Sequence, residues 1–325
     1  MKLPVAPGEK YGLIALNCHT DIKAPINLGN GFWTAPKGAL ELASHWKEWL
    51  GTIRTRDLLD ADLLLIVTGP TDRPEVLDRD NQELLRRVDA LYWGLLAATP
   101  LLISGQGMRV TGANVGGTIE VRSASNFNMT FHMRGLCLGN VTADVMARAA
   151  KLAVNLVDLL AMPGVRRLKM AVSTFLKAFW ESDNSEAIHQ FVRAVDGVTR
   201  AWNKDQFRDR CATFVEDTAS PGCRELYIMR SNAEHFREPD AMLPPLSPPK
   251  AYMRSWRRPA EAQVLARYCM SRLVERKELW PALADAKGEE FWDLAQPDRE
   301  ALWGARMNLA AAMGEFDERM IPEDG

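Results

Sequence analysis

The residues whose types and spacing suggest chemistry lie in one stretch, Arg224-Glu225-Leu226-Tyr227-Ile228-Met229-Arg230-Ser231-Asn232-Ala233-Glu234-His235-Phe236. At about 100° per helical residue, Leu226, Met229, Ala233 and Phe236 share one face, and that face must pack against other elements. His235 then falls opposite Leu226, and Arg230 borders the same polar side, with Tyr227, Ser231 and Glu234 between the two. An imidazole turned away from its own helix's apolar stripe is not an ordinary core histidine. Ser231 stands four residues before it and Asn232 three, so either is placed to hold one tautomer. A plainer alternative makes Arg230 and Glu234 an i,i+4 surface pair on a structural helix.

Other constellations are weaker. No H-x-x-x-H, H-E-x-x-H or paired cysteines place metal ligands on one surface, so no metal is expected. Cys18-His19 with Asp21 comes nearest, but neighbouring residues on a strand point to opposite faces, which favours a structural role. The run Gly105 to Gly112 lacks the Gly-Lys-Ser/Thr end of a phosphate loop and is better explained by hairpin turns, so no nucleotide cofactor is implied. Five scattered cysteines do not form a disulfide framework. Between Lys250 and Lys277 bases dominate, and Arg254, Trp256, Arg257 and Arg258, with Tyr252 and Tyr268, suit nucleic-acid binding by charge and stacking or, equally, anchoring in a core. From Pro281 onward acids dominate.

The elements that must position these residues follow from periodicity. Ala61 to Pro70 has the pattern of a buried strand closed by Gly-Pro. Asp78, Asp80 and Asn81 offer N-cap chemistry to a helix whose stripe runs through Leu84, Val88, Leu91 and Leu95. Leu101 to Met133 alternates with glycine turns and predicts a small antiparallel sheet. Thr142 is placed to cap a helix that Pro163-Gly164 ends. Residues 165–279 then predict successive amphipathic helices, and Leu243 to Lys250 predicts an extended, polyproline-like connection. The expected fold is α+β: a mixed N-terminal domain with a small antiparallel sheet over residues 1–162, an all-α bundle over 163–280, and an acidic helical tail over 281–325.

Placed in that succession of helices, Arg230-(four residues)-His235 resembles the signature of the HEPN family (higher eukaryotes and prokaryotes nucleotide-binding). Arg167 to Val172 and Phe191 to Asp196 look like the bundle's first two helices, and Leu226 to Ser231 is similar to the approach to the motif in the ApeA-like branch. Ser231 stands where many members carry Asn or Asp, and Glu234 where most carry an apolar residue. The resemblance spans residues 165–279. It implies a metal-independent, homodimeric endoribonuclease, of the kind found in toxin and phage-defence settings, that attacks RNA through the 2'-hydroxyl. His235 would be its acid/base, Arg230 its anion stabiliser, and Ser231, Asn232, Glu234 and Tyr227 supporting contacts. The alternative it leaves open is a non-catalytic nucleotide-binding or dimerisation scaffold. Nothing in residues 1–162 names a ligand.

With 325 residues, 47% hydrophobic and 25% charged, the chain is ordinary globular material, long enough for two cores. A net charge of -2 removes the argument from a globally basic chain. No apolar run is long enough for a membrane span, and the first residues lack a signal-peptide pattern, which together predict a cytoplasmic protein without membrane partners.

Overall fold

The computed structural model describes residues 2–128, 139–216 and 221–312, and the chain divides into two compact units. Among the described residues, the first comprises 2–128 and 139–157, and the second 158–216 and 221–312. Cys137, positions 129–133 of the expected sheet and positions 313–325 of the expected tail lie outside the described residues.

The first unit is built in the order β1 (Glu9–Asn17), β2 (Ile26–Gly29), β3 (Phe32–Pro36), α1 (Ser44–Leu59), β4 (Leu63–Pro70), α2 (Arg79–Ala98), β5 (Ser104–Val115), β6 (Thr118–Asn128) and α3 (Ala143–Ala161), whose residues from Asp158 on belong to the second unit. Its strands form one antiparallel sheet in the order β2-β3-β4-β1-β5-β6. The expected small sheet is thus six-stranded. Central β1 and β4 are buried on both faces, so their sequences are near-continuous apolar runs without the alternation that marks a half-exposed strand. Tyr11, Leu13 and Ala15 of β1 join one core with Leu50 and Leu58 of α1. On the other face α2 presses so close that a Cβ at Gly12 would sit 2.7 Å from the Leu84 carbonyl.

Asp78 caps α2 through a capping box with Asn81 and also accepts an ion pair from fully buried Lys10 at 2.7 Å. Thr142 caps α3 as expected, its hydroxyl accepting from the Val145 N–H. Burial pushes the Cys18 thiol up to about 12, which suits an inert structural cysteine.

The second unit continues with α4 (Arg166–Ala178), α5 (Asn184–Thr199), α6 (Lys204–Cys211), α7 (Pro221–Glu234), α8 (Pro248–Glu275), α9 (Leu279–Ala282), α10 (Gly288–Asp293), α11 (Gln296–Trp303) and α12 (Leu309–Ala312). Phe175, Phe179 and Phe191 stack edge-on in its core. One expectation needs correction. Pro248 and Pro249 open α8 at its first positions, where the missing N–H groups have no helical partner to lose, so the expected extended connection stops at Ser247. In the described part of the acidic segment, Phe291, Trp292 and Trp303 are buried, and the Trp303 ring centroid lies 4.2 Å from that of Phe214. No described helix is long and apolar enough to cross a membrane.

Candidate functional site

Helix α7 buries Leu226, Met229 and Ala233 as its periodicity requires, but not Phe236. Glu234 is the last helical residue, and His235 lies just beyond it in a turn. There the chain closes a Schellman motif: the Phe236 N–H donates to Ala233 and the Arg237 N–H to Asn232. Phe236 takes the left-handed position at φ 54° and its ring is 97% exposed. Asn232, expected near the imidazole, is fully buried and donates instead to the Pro239 carbonyl at 2.9 Å. Neither Asn232 nor Ser231 reaches His235, whose ring has no hydrogen-bond partner among the described residues.

Arg230 points elsewhere. Its guanidinium donates to Glu234 at 2.9 Å, approaches Asp196 at 4.0 Å and lies 5.1 Å over the Tyr227 ring. Its side chain is only 14% exposed, and its Nε is a buried donor without a partner. The same Glu234 oxygen lies 3.3 Å from Nε2 of His189, whose Nδ1 faces Glu186 at 3.8 Å. Glu234 therefore joins α7 to α5 through His189, while its other partner, Arg230, lies on α7 itself. The plain alternative of an Arg230–Glu234 pair is present as a contact, within a larger network.

Arg230 is also part of the wall of a groove of about 580 Å³ shared with Arg166, Arg167, Arg193, Asp196 and Asp285. Four arginines against two aspartates leave a formal +2. Both carboxylates are already engaged. Asp285 caps α4, accepting from the backbone N–H groups of Arg166 and Arg167 at 2.7 and 3.0 Å, and Asp196 accepts from Thr199 and Ala201. Arg167 is turned to the carbonyls of Gly197 and Asp196, but the guanidiniums of Arg166 and Arg193 have no partner among the described residues. Two solvent-exposed guanidiniums and one buried donor thus line one groove, an arrangement whose charge and hydrogen-bond demand would suit an anion.

Of the sequence-derived residues, Arg230 lines the groove and touches Glu234 and Tyr227, which, like His235, are not among those lining it. Much of the basic segment of α8 makes internal contacts, the anchoring that stood as one of its two expected roles. Arg254 is buried and donates to the Pro244 carbonyl, Arg257 pairs with Glu261 at 3.1 Å, and Arg258 pairs with Glu225 at 2.8 Å and with Glu261. Trp256 lines a different pocket. Sequence reasoning missed His189, Arg193 and Asp196, although Glu186, His189, Arg193 and Asp196 recur at spacings of three and four, the mark of one helix face. Among the described residues no group of three or more His, Cys, Asp or Glu side chains is placed to hold a metal ion. No family model, curated protein or solved structure matches the chain.

Proposed function

We propose that the helical unit binds RNA by its phosphates in the Arg166, Arg193 and Arg230 groove and cleaves it without a metal, as a HEPN-type endoribonuclease. The observation that carries this reading is the pair of unpartnered guanidiniums beside the orphaned Nε of Arg230. Cleavage through the 2'-hydroxyl needs a base for that proton, an acid for the 5'-oxygen and a cation for the charge growing on the phosphorane. Arg230 supplies the cation. His235, exposed and free of hydrogen-bond partners, supplies the proton transfers, and a second copy of the chain brings its imidazole to the groove.

The test is incubation of single-stranded and structured RNA with the full chain in EDTA. His235→Ala is expected to lower cleavage by about 10²-fold or more while leaving RNA binding in place, and Arg230→Ala to weaken both. Cleavage unchanged in His235→Ala overturns the assignment. A second reading, a non-catalytic phosphate-binding scaffold, is favoured by the Glu234 carboxylate that neutralises Arg230. It predicts binding that depends on Arg193 and Arg230 with no cleavage in the wild-type chain.

A further inference from the structure

A second pocket, of about 540 Å³, opens on the aromatic side of the α5–α7 seam, where Met229, Ala233 and Phe236 of α7 and its turn meet Tyr252 and Trp256 of α8 and the first turn of α5. That volume is within the roughly 300–1,000 Å³ of small-molecule sites. Phe236 is its unusual wall. A bulky residue at positive φ is strained relative to glycine, the residue that normally occupies this position of a Schellman motif. The ring gains no burial in return, being 97% exposed. Nor is it carried on a loose loop, because Asn232 braces the turn from both its carbonyl and its side chain.

A strained, rigidly held and exposed aromatic beside two half-buried aromatics is the arrangement of a stacking platform. Tyr252 and Trp256 already meet edge-to-face with ring centroids 6.3 Å apart. Polar groups complete the lining: Asn184 and Ser185 at the start of α5, Ser255 and Arg237, together with the carboxylates of Asp183, Glu186 and Glu238. Flat π-faces with a rim of donors and acceptors fit a heteroaromatic ring that carries hydrogen-bonding edges. Glu186, which lines this pocket, and Arg193, which lines the arginine groove, are about 10 Å apart along α5 at about 1.5 Å per residue.

We propose that this pocket binds one unpaired nucleobase of the RNA whose phosphates lie in the arginine groove, with Phe236 and Trp256 as the stacking surfaces. The inference rests on the RNA-binding reading above and adds that the substrate is single-stranded at the bound position. The test measures fluorescence anisotropy of a labelled single-stranded oligonucleotide and of an abasic oligonucleotide with the same backbone, using the full chain. Natural RNA is expected to bind more tightly than abasic RNA. Phe236→Ala is expected to weaken natural RNA by about five- to a hundredfold and to leave abasic RNA unchanged. Because Phe236 is exposed, loss of folding does not confuse the result, and Phe236→Trp is expected to retain affinity.

Equal effects of Phe236→Ala on both oligonucleotides, or none on either, overturn the base pocket while leaving phosphate binding intact. Conversion of a dimer to a monomer by Phe236→Ala, with RNA affinity unchanged, also overturns it and assigns the ring to a contact between copies. Base-dependent binding that survives Arg193→Ala and comes without cleavage overturns the proposed function alone. A chain that binds neither oligonucleotide overturns both.

Discussion

At the scale of single residues, several side chains are held by demands their own helix does not reveal. Glu234 is the sharpest case, since one carboxylate oxygen serves both Arg230 and His189. Asp89 in the first unit shows burial overruling pairing. It lies 2.8 Å from Arg109, yet burial pushes its carboxyl from 3.8 up to about 6, the guanidinium opposing that rise only in part. Between those two values the folded chain holds more protons than the unfolded chain. The contribution of Asp89 to stability is therefore fully present at low pH and is lost as pH rises through about 6. Melting temperatures between pH 4 and 7 are expected to fall less steeply with rising pH in Asp89→Asn than in the wild-type chain. Identical slopes would show that Asp89 titrates normally.

At the scale of elements, close approach explains more than propensity does. Helix α2 meets α3 at Gly94, where an added Cβ would stand 2.3 Å from the Ala149 carbonyl oxygen. Backbone cannot move aside as a flexible side chain can. Gly94→Ala is expected to cost about 1–3 kcal/mol by overpacking, despite alanine's better helix propensity, and denaturant titration measures it. A stabilised variant would mean that the two helices separate readily. Helix α8 makes a complementary point: Pro248 and Pro249 sit where proline starts a helix, whereas Pro259 lies inside it and is buried. Composition alone suggested a broken segment, but position within the turn decides what a proline does.

At the scale of the whole molecule, a net charge of -2 coexists with a groove of formal charge +2. Such a site attracts polyanions locally and is screened by salt. For single-stranded RNA, the logarithm of the binding constant is expected to fall with the logarithm of salt concentration, by about 0.7 for each phosphate contact. Arg193→Ala should reduce that slope by about one contact, and an unchanged slope would remove Arg193 from the interface. The sequence by itself determined the local pieces: the capped helix α2, the Thr142 start of α3, buried β4, and the face of α7 carrying Leu226, Met229 and Ala233. Each is a matter of spacing and capping among near neighbours. Only the tertiary structure decided that Lys10 and Asp78 pair, that Arg254 and Arg258 serve the bundle, that His189 reaches Glu234, and that Phe236 faces solvent. Periodicity tells which side of an element is covered. Which charged group finds which partner is set by contacts between residues far apart in the chain, and those form only when the helices pack.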